Sequence, residues 1–233
     1  MPRRTLSLTA ELIAAVERTE PDAGLEDGLT PLTVEDYDRL ANDILDYARG
    51  GTVHIFAYGS LIWKPEFDPV RQVRGRAYGW RRSFCLPIMN TRGTPQQPGL
   101  MMALDYGGCC DGLLLQFPQA NVADQLRKLL RREMDYVEDV QSFRRIRVDV
   151  EGTPVDSYTF YAAPRSKGCY LKLPLDQQAY RIARAAGHWG TNAAYLHNTI
   201  LKLAEHGIHD SYLWQLQHLV ANEIRRLHPG MPA

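Results

Sequence analysis

The sequence has no net charge and no long hydrophobic segment, and each lack excludes a class of function. Its 27 Lys and Arg residues balance 27 Asp and Glu residues, so no overall field favours binding to nucleic acid or to a membrane surface. No apolar run approaches the roughly 18 residues of a membrane-spanning helix. With 45% hydrophobic and 23% charged residues, the composition is typical of a globular protein. We therefore expect no nucleic-acid partner and no membrane association.

Cysteine is also scarce, and its spacing excludes two further classes of protein. The four cysteines are Cys85, Cys109, Cys110 and Cys169. They include no Cys-x-x-Cys pair, so neither a zinc site nor a disulfide scaffold is expected. Reduced thiols are the default in the cytosol, and Glu11 and Glu17 interrupt any apolar core of a signal peptide. We expect a cytoplasmic protein.

The arginines are clustered although the total charge is zero. The clusters lie within residues 71–82, 127–132 and 144–147. A solvated face is one interpretation of such clusters, and binding of an anionic small molecule is the other. The composition leaves both interpretations open.

The segment 53–63, with the sequence VHIFAYGSLIW, is the first candidate for a functional site. Its apolar start is typical of a buried strand, which ends at Tyr58, Gly59, Ser60 and Leu61. Glycine tolerates positive φ, so the backbone can turn sharply there. Successive N–H groups in such a turn can form a concave anion-binding nest. A strand followed by an ordinary turn explains the same residues.

The remaining pattern predicts an α+β protein of 233 residues. Residues 1–50 read as an N-terminal helical extension packed on the core, and residues 51–233 as the main domain. Strands are predicted at 73–88, 142–150 and 155–162, and a hairpin joining 100–106 to 110–117 across Gly107 and Gly108. Helices are predicted at 121–136, 175–187, 191–206 and 211–227, with Gly187 as one C-cap.

Glu133 is the second candidate because it falls on or beside an apolar helical stripe. It follows Leu129 and Leu130 by four and three residues, which places it near their face of the helix. A carboxylate at a buried position requires a reason. Catalysis is one reason, and pairing with Arg131 or Arg132 at the helix end is another.

Other chemistries receive less support. A Cys/His hydrolase would use Cys85 with His54, His188 or His197, but nothing in the sequence places these residues together, and a small buried thiol on a strand explains Cys85 better. His206 and His209 fall at a helix end and loop, where a surface position is expected. We predict no metal and no cofactor.

Five stretches together resemble the ChaC-type γ-glutamylcyclotransferases. They are FAYGSLIW at 56–63, GWRRSFC at 79–85, RGTPQQPG at 92–99, KLLRREM at 128–134 and GTNAAYL at 190–196. The resemblance covers about residues 50 to 225. One departure follows the Arg-Glu pair, where many members have a Gly-Tyr turn and this chain has Met134, Asp135 and Tyr136.

This resemblance implies a mainly antiparallel, closed or nearly closed β-barrel with helices outside it. It also implies cofactor-free cleavage of glutathione to 5-oxoproline and cysteinylglycine. Family roles carry over to residues 58–61 as the γ-glutamyl-binding loop, to Glu133 as the acid/base and to Tyr170 as a substrate contact. Arg81 and Arg82 would neutralise the glycine carboxylate or be solvated. Action on other γ-glutamyl compounds, or binding of them without turnover, stays open, and the oligomeric state is not predicted.

Overall fold

The computed structural model describes residues 5–18, 20–22, 24, 28–163 and 170–231. Contacts divide the chain into two compact units. The first unit takes Met1–Glu26, Ser83–Ala103 and Pro164–Ala233, and the second takes Asp27–Arg82 and Leu104–Ala163. Cys169 lies outside the described residues. The division into an extension (1–50) and a main domain (51–233) stays a prediction.

The described residues form six helices and seven strands. The helices are α1 (Ala10–Ala15), α2 (Val34–Ala48), α3 (Val122–Glu133), α4 (Leu175–Arg184), α5 (Asn192–Glu205) and α6 (Ser211–Leu227). The strands are β1 (His54–Ala57), β2 (Arg71–Ile88), β3 (Gly99–Gln116), β4 (Phe143–Val150), β5 (Thr153–Phe160), β6 (Ala186–Gly187) and β7 (Gly190–Thr191). Short 3₁₀ turns cover Ser60–Ile62 and Val137–Ser142. No helix in these ranges combines the length and apolar character needed to cross a bilayer.

Five strands form a closed barrel in the order β1-β3-β2-β4-β5. Strand β1 pairs antiparallel with β3 and parallel with β5, and β4 pairs antiparallel with both β2 and β5. Ile55, Phe56 and Ala57 of β1 are fully buried, which explains the continuous apolar run. This architecture confirms the predicted α+β fold with a mainly antiparallel barrel.

The hairpin predicted at Gly107 and Gly108 is wrong. These glycines lie inside one continuous strand, β3, and have φ of 106° and 74°. Positive φ at two adjacent residues serves a bulge as well as a hairpin turn, so the local pattern cannot separate them. The chain reverses instead at residues 89–98, between β2 and β3.

Helix α3 begins after Asn121 and ends at Glu133, three residues before its predicted end. Met134 is extended, with φ −141° and ψ 121°, so the chain leaves the helix directly after Glu133. Asn121 occupies the N-cap position but makes no capping hydrogen bond. The early end places Glu133 at a helix terminus and not within a helix.

The first unit is mainly helical in the residues described. Helices α5 and α6 match their predicted ranges to within one residue, whereas α4 ends at Arg184, three residues before its predicted end. Thr191 caps α5 by accepting the N–H of Ala194. Gly187 is not a C-cap, because α4 ends at Arg184 and Gly187 pairs in β6 with Gly190 of β7. Helix α1 also belongs here, and the Leu8 N–H beside it donates to Gln217 on α6.

Candidate active site

The loop after β1 is a short 3₁₀ turn that starts where the strand leaves the barrel. Tyr58 and Leu61 are 9% and 5% exposed, Gly59 is buried and Ser60 is half-buried. Gly59 has φ −139° and ψ −128°, so the turn does not use the positive φ that glycine permits. The turn closes when the N–H groups of Ile62 and Trp63 donate to the carbonyls of Gly59 and Ser60.

The first N–H groups of this turn stay available for a ligand. Within the described residues, the N–H groups of Gly59, Ser60 and Leu61 donate to no protein acceptor. A helical turn leaves such donors at its start because no preceding carbonyl is in reach. Donors at the start of a helical turn are groups to which a carboxylate or an oxyanion can bind.

Glu133 is the last residue of α3 and belongs to the same unit as the loop. Its side chain is 20% exposed, so a small ligand can reach it. Desolvation by the surrounding protein raises the pKa of the Glu133 carboxyl, with a smaller raising effect from Glu66 and a lowering effect from Arg132. A carboxyl with a raised pKa can exchange protons near neutral pH more readily than an ordinary glutamate.

Arg132 links this carboxylate to the chain that follows the loop. Its Nε lies 3.4 Å from Glu133 Oε1 and 3.6 Å from Glu66 Oε1. The same guanidinium donates to the carbonyl of Lys64, whose N–H donates to the Ser60 carbonyl at 2.8 Å. The pairing of Glu133 with an arginine, expected as an alternative to catalysis, is therefore present and also connects the two candidate elements.

Helix α2 and a residue before it form hydrogen bonds with the chain that follows α3. The buried hydroxyl of Tyr37 donates to the carbonyl of Met134 at 2.7 Å. The N–H of Leu32, before α2, donates to the Asp135 carbonyl at 2.9 Å. These bonds fix the residues after Glu133 and so restrict where its side chain can lie.

Arg82 contacts the loop at Tyr58, a contact that the sequence does not predict. Its side chain is buried, and Nε donates to the Tyr58 carbonyl at 2.8 Å. Arg81 is 53% exposed along its side chain and pairs with Asp105 at 2.7 Å. Because neighbouring residues on a strand face opposite sides, the Arg-Arg sequence itself indicated that one of the two could point inward.

The remaining candidates lie apart from these residues in the chain. Tyr170 belongs to the first unit and is 38% exposed, and its role as a substrate contact stays a prediction. Cys85 is buried, as expected for a small residue on a strand. Among the described residues, no group of three or more His, Cys, Asp or Glu side chains is arranged to hold a metal ion.

Comparison with known proteins shows which family the chain resembles. Residues 53–223 match the family model described as ChaC-like protein. The chain is 34% identical to the glutathione-specific γ-glutamylcyclotransferase of Escherichia coli K12 over 163 residues, which cover 70% of each protein. It is 31% identical to γ-glutamylcyclotransferase 2-3 of Arabidopsis thaliana, over 74% of this chain and 88% of that protein.

A solved structure supports the fold independently. It is a γ-glutamyl cyclotransferase specific to glutathione from yeast, and it superposes with a TM-score of 0.68. The alignment covers 76% of this chain and 99% of the yeast chain at 18% identity. At that identity the likeness establishes the fold and no more.

Proposed function

The chain belongs to the ChaC-like family, and from this premise we propose that it is a glutathione-specific γ-glutamylcyclotransferase. It cleaves the γ-glutamyl amide of glutathione and releases 5-oxoproline and cysteinylglycine. The observation that carries the proposal is the desolvated Glu133 carboxylate at the end of α3, linked through Arg132 to the chain after the loop.

The reaction closes a ring within one substrate molecule. The α-amine of the γ-glutamyl group attacks the γ-amide carbonyl, a five-membered lactam forms, and the amide C–N bond breaks. Correct geometry for such an intramolecular step contributes about 7–11 kcal/mol. The protein must therefore hold the γ-glutamyl chain folded, which requires fixed contacts to its charged end.

Glu133 is proposed to carry the proton. The substrate amine is an ammonium before it attacks, so a base must first take one of its protons. The departing nitrogen then needs a proton to leave as an amine. One carboxylate close to both nitrogens can accept the first proton and return it, a contribution of about 10²–10⁴-fold. The raised pKa of Glu133 supports this role, because it makes the acid form easier to reach.

The loop at Tyr58–Leu61 is proposed to hold the substrate through its main chain. The available N–H groups of Gly59, Ser60 and Leu61 suit either the α-carboxylate or the oxyanion that develops on the γ-carbonyl. The half-buried Ser60 hydroxyl adds a donor or acceptor. Tyr170 is proposed as a further substrate contact.

The cytoplasm is the proposed compartment. Cys85, Cys109 and Cys110 are thiols and not disulfide partners, which fits a reducing environment.

The proposed reaction is tested by following 5-oxoproline release from glutathione, with γ-glutamyl-alanine and γ-glutamyl-lysine as parallel substrates. We expect release from glutathione and much slower release from the other two. Faster turnover of either alternative substrate would reject glutathione as the preferred substrate, but it would leave the proposed cyclisation reaction in place. No release from any of the three would reject the enzyme assignment, and glutathione binding without turnover would indicate a binding module.

A further inference from the structure

Arg82 is a charged residue inside the protein whose guanidinium is directed at main-chain carbonyls. The residue is 4% exposed. Its Nε donates to the carbonyl of Tyr58 at 2.8 Å, and one terminal nitrogen donates to the carbonyl of Asp111. A buried charge is costly unless hydrogen bonds replace its lost water. An arginine kept at this position therefore has a structural or a functional task.

Both acceptors lie immediately beyond the point where two strands separate. The ladder between β1 and β3 ends at the pair Ala57 and Leu113. If pairing continued, Tyr58 and Asp111 would belong to the next steps of the ladder. Arg82 therefore donates to one carbonyl on each of the two chain segments that diverge at this point.

The bond to Tyr58 has a consequence for the next N–H group. The peptide bonds of the described residues include no cis bond, so the carbonyl of Tyr58 and the N–H of Gly59 belong to one planar trans unit. In such a unit the C=O and the N–H point in opposite directions. With the carbonyl held by Arg82, the Gly59 N–H must point away from the guanidinium.

This N–H is one of the three loop donors that have no acceptor in the described part of the chain. A peptide unit beside glycine rotates more easily than others, because glycine has no Cβ to restrict it. An unanchored Tyr58–Gly59 unit would therefore sample orientations in which the N–H is withdrawn. Preorganised donors stabilise developing charge most because they need no reorganisation during the reaction.

We propose that Arg82 is a positioning residue that fixes the Tyr58–Gly59 peptide unit, so that the Gly59 N–H is held ready for an anionic group of the substrate. This inference rests on the proposed function, since it names the partner that keeps the substrate loop in order. In this role Arg82 touches the loop and not the substrate, in contrast to the carboxylate-binding role that the sequence suggested.

The test compares Arg82→Ala with Arg76→Ala in the 5-oxoproline assay. Arg76 lies on the same strand, and its exposed side chain pairs with the carboxylate of Asp111 at 2.6 Å. We expect Arg82→Ala to lower kcat/KM by about 10²-fold, the scale of loss when a group in the site is misplaced by about 1 Å. Guanidinium ions, added below denaturing concentration, should restore part of the activity by occupying the vacated space. Arg76→Ala should keep near-normal activity and show no response to guanidinium.

A folded Arg82→Ala protein with near-normal kcat/KM overturns the proposal. So does a loss of activity that guanidinium leaves unchanged while the unfolding temperature stays at the wild-type value.

If Arg82→Ala does not fold, Arg82→Lys tests the positioning role of Arg82 in its place. Lysine keeps the charge but has no planar fork to reach two carbonyls, so kcat/KM should again fall while the fold persists. A folded Arg82→Lys protein with wild-type kinetics contradicts the proposal.

A second measurement separates this inference from the proposed reaction. In ¹⁵N-glycine-labelled protein, the Gly59 amide resonance is assigned by its absence from Gly59→Ala. It should shift in Arg82→Lys and keep its position in Arg76→Ala, whether or not wild-type protein turns glutathione over. An unshifted Gly59 resonance in Arg82→Lys overturns the inference, and inactive wild-type protein overturns only the reaction.

Discussion

The guanidinium of Arg132 lies 3.4 Å from the carboxylate of Glu133, its neighbour in the sequence. Two opposing effects therefore act on the pKa of the Glu133 carboxyl: burial raises it and Arg132 lowers it. Burial is the larger of the two. The arginine keeps this buried carboxylate easier to ionise, and the proposed reaction needs the ionised form to accept the first proton.

The pH dependence of kcat/KM should show the effect of Arg132 on the pKa of Glu133. Removing the charge of Arg132 removes the effect that lowers the pKa of Glu133, so in Arg132→Gln that pKa should rise further. Because the base must be ionised, the acidic limb of the kcat/KM profile should move to higher pH. The midpoint of that limb is the quantity to measure, since the lost bond to Lys64 can lower the maximum rate as well.

Arg131→Gln is the matched control for that measurement. Arg131 is exposed and lies over the ring of Tyr37, with its guanidinium carbon 5.5 Å from the ring centre. Its removal should leave the midpoint in place. A limb that stays fixed in Arg132→Gln, or that moves equally in both variants, would show that Arg132 does not tune Glu133.

The loop is tested by two substitutions of adjacent residues. Gly59 is buried, so the Val side chain in Gly59→Val must displace its neighbours and with them the N–H groups. We expect kcat/KM to fall by about 10²-fold, the scale of one lost donor. Ser60→Ala should have a much smaller effect, because the main chain provides most of the proposed contacts. Unchanged kcat/KM in Gly59→Val would mean that the turn is only structural.

The support from helix α2 predicts a change in stability. Tyr37→Phe removes the buried hydroxyl that donates to the Met134 carbonyl, and this leaves a buried acceptor without its partner. Such a loss costs about 1–3 kcal/mol of unfolding free energy, which urea denaturation measures. Tyr180→Phe is the control, because Tyr180 is 52% exposed and should change stability very little. If both substitutions change the unfolding free energy equally, the bond from Tyr37 of α2 does not stabilise the chain after Glu133.

The proposed chemistry also predicts independence from metal ions. Glu133 and main-chain N–H groups perform the proposed steps, and no described cluster of side chains is suited to a metal. Exhaustive dialysis against EDTA should therefore leave 5-oxoproline release unchanged. Activity that disappears on dialysis and returns with a divalent ion would contradict the mechanism.

Much of the site could be predicted from local sequence because its signals are local. The apolar run before Gly59 predicts the strand and its end, and the spacing from Leu129 places Glu133 near the packed face of a helix. The closed barrel was predicted only through the resemblance to a family, since strand order depends on contacts between distant residues. Gly107 and Gly108 read as a hairpin turn in the local sequence, whereas the structure places them inside one continuous strand, so the local pattern alone does not predict their setting.

The features that the sequence did not predict depend on long-range contacts. The early end of α3 is accompanied by the bond from Tyr37 to Met134, 97 residues away. The inward orientation of Arg82 is accompanied by its bonds to the carbonyls of Tyr58 and Asp111, 24 and 29 residues away. Alternation along a strand indicates that either Arg81 or Arg82 can face inward, and it does not indicate which.

Glu133→Gln tests most directly whether Glu133 carries the proton. Glutamine keeps the size and the hydrogen-bonding capacity but cannot accept and return a proton. The fold should persist, because removing a partly desolvated charge is seldom harmful when its replacement can still form hydrogen bonds. Glutathione should still bind, since its carboxylate is proposed to meet the loop.

Stability provides an internal check on the same variant. The native pKa of Glu133 is raised above its ordinary value of 4.5. Between those two values the folded protein holds a proton that the unfolded chain has lost, so this group lowers stability as pH rises through the window. At neutral pH, Glu133→Gln should therefore unfold at a temperature no lower than that of the wild type.

The deciding measurement is the rate at which saturating glutathione is converted to 5-oxoproline by a Glu133→Gln preparation whose thermal unfolding is recorded in parallel. We expect a folded protein whose turnover has fallen by at least about 10²-fold, the low end for general acid/base catalysis. Near-normal turnover by the folded variant would contradict the account, and it would leave Glu133 as a structural partner of Arg132.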